Sequence, residues 1–365
     1  MSIMETNRAT ALHLNGVTLP DGELRDLFVV NGRITFHPPD EVSSVFHDGF
    51  ILPGLVDAHA HLALASPADP DEAPEEQVRA SARAHLSAGV LLIREPGSPD
   101  RLSACIGPHE GLPRVISGGR FLTPPGTYFP GLAREVAEED LPDAAEEEAR
   151  ASGAWAKVIG DWVGPDGRMR SNYRTATLAA AVARVHAIGA RIAIHAICTE
   201  AIEAAIEAGF DSIEHGQGIQ EDHLAAMAER SIAFVPTLTI LPDLPGVIAD
   251  LGLKRAAREA MLSAVTRHPE MTRRAAETGV LVLAGTDAGM GPHGMVHEEI
   301  RWLLDAGLSP EASLAAGSWA ARRFLGLPCL EEGAPADIVA YRDDPRGAPD
   351  VLMQPSLRIL DGRVI

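Results

Sequence analysis

The stretch ILPGLVDAHAHL, residues 51–62, runs an apolar segment into two histidines one residue apart, and its reading decides the fold. A short apolar run beside a Pro-Gly turn signal reads as a strand buried on both faces. Side chains alternate along a strand, so His59 and His61 point to one side and can bind one ion together. A lone histidine there would be an ordinary hydrogen-bonded core or surface residue. The pair at a strand end is a metal motif judged by its context.

Seven further strand-like runs follow: VLLIR (90–94), PRVIS (113–117), AWAKVI (154–159), RIAIH (191–195), DSIE (211–214), IAFVP (232–236) and VLVLAG (280–285). Helical patterns separate most of them, such as EEQVRASARAHLSAG and TATLAAAVARVHAIG, each ending at a glycine suited to a helix C-cap. Strands alternating with helices predict a parallel α/β sheet, and eight such units predict a closed (β/α)8 TIM barrel. An open doubly wound sheet has the same alternation, but a GxGxxG after the first strand is missing.

In a barrel the strand ends converge on one face. Those ends carry His59 and His61, then Lys157, His195, His215 and, after the eighth run, Asp287, all of metal-ligand or metal-bridging type. Once the barrel closes, Asp287 lies beside the first strand and can share a metal with the histidine pair. Asp287 has an alternative as a helix N-cap, and Lys157 as a snorkelling lysine at a strand edge.

The two ends of the chain have another texture. From about Ala9 to Gly54, and again in ADIVAY and SLRILDGRVI, short strands alternate with turn signals, so residues 1–56 and 331–365 are expected to form one small β-sandwich domain. The barrel then spans 57–330. With 365 residues, 46% hydrophobic and 22% charged, the chain is large enough for this plan. Its 51 acidic against 31 basic residues give a formal charge of −20, which argues against nucleic acid or anionic membrane as a partner. Cys105, Cys198 and Cys329 are scattered and form no CxxC, so neither a disulfide framework nor a thiolate zinc site is expected. No signal peptide or membrane span is evident, and a cytoplasmic location is expected. A homo-oligomer is compatible with all of this.

The stretches LPGLVDAHAHL, AGVLLIREPGS, AWAKVIGDW, IAIHA, AGFDSIEHG, FVPTLTI, AGTDAG and GAPADIVAY, between about Leu52 and Tyr341, resemble the amidohydrolase superfamily, in its imidazolonepropionase-like and Xaa-Pro-dipeptidase-like branch. The resemblance implies that His59, His61 and Asp287 bind one divalent metal, most simply zinc, and that His195 and His215 bind a second. It implies that Lys157 bridges the two as a carbamate formed with carbon dioxide. A desolvated lysine favours the neutral amine that this reaction requires. The implied activity is hydrolysis of an amide, cyclic amide or dipeptide-type C–N bond of a small molecule by a metal-bridging hydroxide, with Asp287 as ligand and acid/base.

Mononuclear deaminases of that family carry HxxE at the fifth strand, where this chain has His195-Ala196-Ile197-Cys198, with Glu200 nearby. Deamination is therefore the alternative, together with ester, lactone or phosphotriester hydrolysis; a metal-free scaffold is a remote one. In the loop FLTPPGTYFPGLAREV, Tyr128 either contacts substrate at the mouth of the site or packs under its own loop. His293 is expected to line the substrate pocket, and His297 to be a surface or capping residue. The segment GLPCLEEGAPADIV is shorter than the family's usual linker, and HAI stands where HAH is common.

Overall fold

The computed structural model describes residues 11–64 and 73–365; the expectations for the first ten residues lie outside them. Near the N-terminus, β1 (Ala11–Thr18) and β2 (Glu23–Val30) pair antiparallel, and β3 (Arg33–Thr35) adds to β2. Asn31 and Gly32, both at positive φ (51° and 80°), make the tight turn between β2 and β3. The other edge of β1 forks, since β4 (Val42–Phe46) pairs with its first half and β5 (Phe50–Pro53) with its second.

The chain then enters a parallel α/β region. β6 (Leu55–Asp57), β7 (Val90–Glu95) and β8 (Arg114–Ser117) form one parallel sheet. β9 (Phe121–Thr123) and β10 (Arg134–Glu135) begin a second. It continues, past the hairpin β12 (Asp161–Val163)/β13 (Met169–Ser171), through β11 (Trp155–Ile159), β14 (Arg191–Ala196), β15 (Ser212–His215) and β16 (Ala233–Val235). The intervening helices Pro74–Ser87 and Thr175–Ala187 stop before Gly89 and Gly189, which adopt the left-handed conformation that β-carbons disfavour. No helix among the described residues is long and apolar enough to cross a membrane.

Two of the expected runs behave differently from a simple strand. The third is β8, as expected, but after Gly118-Gly119 the chain forms an additional strand, β9; β8 stays with β7, while β9 crosses over to pair with β11. A β-carbon on Gly118 would sit 2.9 Å from the Gly97 nitrogen, so the backbones meet there too closely for any other residue. The eighth run, 280–285, makes an isolated parallel bridge, Phe234–Val282, and no ladder. The Ala284 N–H goes instead to the Ala316 carbonyl (2.9 Å). The run still reaches both neighbours, through Leu283 N–H to Phe234 (2.9 Å) on one side and Ala58 N–H to the Ala284 carbonyl (2.8 Å) on the other.

At the C-terminus, β17 (Ile338–Tyr341) returns antiparallel to β5, followed by β18 (Leu357–Leu360) and β19 (Arg363–Val364). Strands from both ends therefore share one eight-stranded sheet. Its own core is built from Leu14, Leu27, Phe46, Ile51, Ile338 and Ile359, apart from the larger core around the parallel strands.

Candidate metal centre

β6 ends by presenting His59 and His61, and the chain holds them tightly. Asp57 accepts from the His59 and Thr286 backbone N–H groups (3.1 Å each) and from the Thr286 hydroxyl (2.6 Å), which fastens the end of β6 to the loop bearing Asp287. The His59 Nδ1 lies 2.7 Å from Glu214 Oε2, and the His61 Nδ1 lies 2.8 Å from the Gly97 carbonyl oxygen. Neither partner has a proton to give, so each ring donates from Nδ1 and carries its lone pair on Nε2.

Those two Nε2 atoms are 3.2 Å apart, and Asp287 Oδ1 lies 3.4 Å from one and 3.2 Å from the other. Three acceptors thus converge without a donor among them. Ligand atoms of a tetrahedral site with bonds of about 2.1 Å stand about 3.4 Å apart, so this triangle has the dimensions of a metal-ligand set. His215 extends it: ligand atoms of His59, His215 and Asp287 all lie within 4.8 Å of one another. That grouping crosses the division into two ligand sets implied by the resemblance.

The remaining residues close in from β11, β14 and β15. The His195 and His215 ring centroids are 4.6 Å apart, and His59 and His215 are 4.9 Å apart. Burial, reinforced by neighbouring positive groups, pushes His195 down to about 3 and His215 well below the usual histidine range, so both rings are held in the uncharged form that could coordinate a metal. Lys157, in register with Ala193 of β14 and Phe121 of β9, is buried with its Nζ lacking a hydrogen-bond partner. Burial lowers it to about 8, within reach of the free amine near neutrality. Tyr128, His215 and Asp287 all have positive φ (67°, 68° and 54°), as does Thr237 (51°), whose hydroxyl is 3.0 Å from His215 Nδ1. Such backbone strain is typical of functional sites.

Several residues of the site have no counterpart in the sequence reading. Arg94 of β7 closes on both oxygens of Glu214 and so fixes the carboxylate that holds His59. Burial alone would raise Glu214, but Arg94 and His59 hold it well below the usual carboxylate range. Glu95 accepts from the Leu62 N–H (2.6 Å) just beyond His61. Asp161 accepts from the Ile197 and Cys198 N–H groups (2.7 and 2.6 Å), and its other oxygen is 3.5 Å from His195 Nε2. The signal available was a charged residue inside or directly after an apolar strand, as in VLLIRE, SIEH and KVIGD.

His59, His61, Lys157, His195, His215, Asp287 and Tyr128 line one cavity, together with Gln217 and Trp162. His293 does not line it: its Nδ1 faces His85 (3.3 Å) and its Nε2 the Leu64 carbonyl (3.2 Å), which turns the ring into the protein. His297 is no surface residue either. It is 3% exposed on the inner face of the helix Val296–Asp305, beside the buried Val296 and Ile300.

Parallel strands of an α/β fold that bring histidines, a buried lysine and an aspartate to one cavity define a metal-dependent hydrolase scaffold. The chain belongs to the amidohydrolase family, whose model matches residues 50–363. It is 39% identical to an uncharacterized protein of Mycobacterium tuberculosis over 99% of this chain and 98% of that one. It is 26% identical to ochratoxinase of Aspergillus niger over 42% of this chain and 33% of that protein. Its fold is that of a Xaa-Pro dipeptidase crystallised with methionine (TM-score 0.83, 19% identity, 98% of this chain and 100% of the other). The crystal structure of A. niger ochratoxinase also shares it (TM-score 0.79, 19% identity, 97% and 95%). The family is generally metal-dependent and acts on small molecules, which agrees with the His-His-Asp group here.

Proposed function

We propose that this chain is a binuclear, zinc-type amidohydrolase that cleaves the C–N bond of an amide. The observation that carries the reading is the triangle of acceptors, His59 Nε2, His61 Nε2 and Asp287 Oδ1, at 3.2–3.4 Å with no donor among them. In this reading His59, His61 and Asp287 hold one ion and His195 and His215 the other, with Lys157 between them as a carbamate. The partnerless Lys157 Nζ supports that last role. When bound, such ions activate water and polarise a carbonyl.

The chain's own residues do the rest. Asp287 takes a proton at its carboxylate and returns it to the departing amine. Glu214 and Arg94 keep the His59 ring in one orientation, and Tyr128, which lines the cavity, contacts the substrate in this reading. Cys198 stands at the acid position of a deaminase's HxxE, and the nearby Glu200 accepts from the Ser171 N–H (3.3 Å) outside the cavity lining, which favours hydrolysis over deamination. The reading includes closure of the parallel strands into a (β/α)8 barrel over 57–330. The seams are the Ser98–Arg120 bridge and the run through Val282. The forked sheet, whose described strands run from Ala11 to Pro53 and from Ile338 to Val364, then folds as a β-sandwich.

Elemental analysis of protein expressed with added zinc tests this: about two ions per chain are expected. Protein that binds no divalent metal after loading, and cleaves no amide, would sink the reading.

A further inference from the structure

The cavity measures about 910 Å³ with its mouth included. One wall is aromatic, where Tyr128 packs edge-on against Phe129 and Trp162 with centroids 5.0 and 5.1 Å away. The facing wall is aliphatic and comes from the helices Leu244–Asp250 and Arg255–Glu277, with Val247, Ile248 and Val265 at the surface. Among the described residues, Lys157 is the one lysine or arginine in the lining, and the proposed carbamate would convert it to an anion. Residues 65–72, ASPADPDE, contain no lysine, arginine or histidine. The formal charge of −20 adds a field that repels anions.

One uncharged polar side chain shares the lining with the histidines. Gln217, 6% exposed, lines the cavity with its Oε1 buried and without a hydrogen-bond partner. Its Oε1 is an uncharged acceptor that suits an N–H donor and offers no charge to pair with a carboxylate.

We propose that the substrate is an uncharged amide carrying a bulky apolar or aromatic group, with no free carboxylate, and that its amide N–H donates to Gln217 Oε1. This rests on the hydrolase reading above. The apolar group lies between Trp162 and Ile248, where burial supplies binding without a charge partner. Water adds across the C–N bond: its oxygen joins the carbonyl carbon, a proton passes to the nitrogen, and an acid and an amine leave. A free dipeptide, whose terminal carboxylate would be desolvated against Val247 and Ile248, away from the metal ions and with no lysine or arginine beside it, is a poor fit.

The test uses the metal-loaded full chain and two matched pairs. Binding is measured by calorimetry with N-octyl-N′-phenylurea, which resists hydrolysis, and with the same urea bearing a para-carboxylate. Cleavage is measured with octanoyl anilide and 4-(octanoylamino)benzoate. The neutral urea is expected to bind at least about tenfold tighter, Gln217→Leu to weaken it about tenfold, and Ile248→Arg to reverse the preference. If the carboxylate form binds as well as the neutral one, or neither binds, the proposal is overturned. If the neutral urea binds preferentially and loses affinity in Gln217→Leu, the cavity's selectivity stands even where the protein takes up no metal and cleaves neither anilide nor any other amide, the outcome that sinks the hydrolase reading alone.

Discussion

Glu214 Oε2 accepts a 2.7 Å hydrogen bond from His59 Nδ1 while the Arg94 guanidinium holds the same carboxylate at 2.6 and 2.7 Å, all three residues fully buried. The arrangement sets the tautomer of His59, which follows β6, from the neighbouring strand β7 and from β15 in the other parallel sheet. Partners of this kind typically matter about 10–100-fold in metal affinity, and Glu214→Gln is expected to show a loss of that size in competition with a chelator. Arg94→Met leaves the buried Glu214 charge uncompensated, which costs roughly 3–5 kcal/mol and should appear as a large drop in Tm. A Glu214→Gln protein with unchanged metal affinity would show that His59 needs no orienting group.

Lys157→Ala is expected to retain the metal held by His59, His61 and Asp287 but lose the other, with most of the activity. Acetate or propionate should partly restore both by supplying a carboxylate where the lysine stood. Full metal content and wild-type rate in the variant would remove the bridge and leave a one-metal site.

Stability should depend on pH through buried acids outside the ligand set. Glu299 is fully buried and pushed up to about 7 by burial, against hydrogen bonds from Thr239 and from the Leu238 N–H. Its folded pKa is raised, so the folded state binds the extra proton between pH 4.5 and 7. Stability from this group is present below pH 4.5 and lost as pH rises through 7. The loss is about 1.4 kcal/mol per pH unit within that window, on the order of 3 kcal/mol in all. Denaturant melts of metal-free protein from pH 5 to 7.5 should therefore show a smaller slope in Glu299→Gln than in the wild type. Equal slopes would mean that Glu299 is ionised throughout.

That His59, His61, Lys157, His195, His215 and Asp287 meet in one cavity was legible because each stands within or just past an apolar run, where position along a strand fixes direction. The residues behind the ligands were not. Arg94 and Glu214 are 120 positions apart and become partners only when β7 and β15 face one another. The aliphatic wall on Leu244–Asp250 and Arg255–Glu277 was equally hidden, since Val247, Ile248 and Val265 carry no mark distinguishing a substrate wall from a packed face. His293 and His297 show the opposite error: one was expected to line the pocket and the other to be a surface or capping residue, and both rings turn inward. VLVLAG has the composition of a strand, yet composition does not disclose that the Ala284 N–H is taken by Ala316.

Asp161 supplies the last prediction. One of its oxygens takes both backbone N–H groups of Ile197 and Cys198, which fixes the carboxylate just past β14. The other lies 3.5 Å from His195 Nε2, and neither of these two atoms has another hydrogen-bond partner. An acid so placed orients the ring by attracting the Nε2 proton, which leaves the lone pair on Nδ1 for an ion. Asp161→Asn keeps the shape but halves the accepting capacity: if its oxygen stays on the two N–H groups, an NH2 faces His195 and favours the opposite tautomer. We therefore expect the variant to bind its second metal about 10–100-fold more weakly while the first stays near wild-type occupancy. Chelator competition followed by elemental analysis separates the two sites. A parallel melt of metal-free protein shows whether the fold has changed. Equal loss of both metals, or a collapse of the metal-free fold, would make Asp161 a structural residue of the strand end and not an orienting partner of His195.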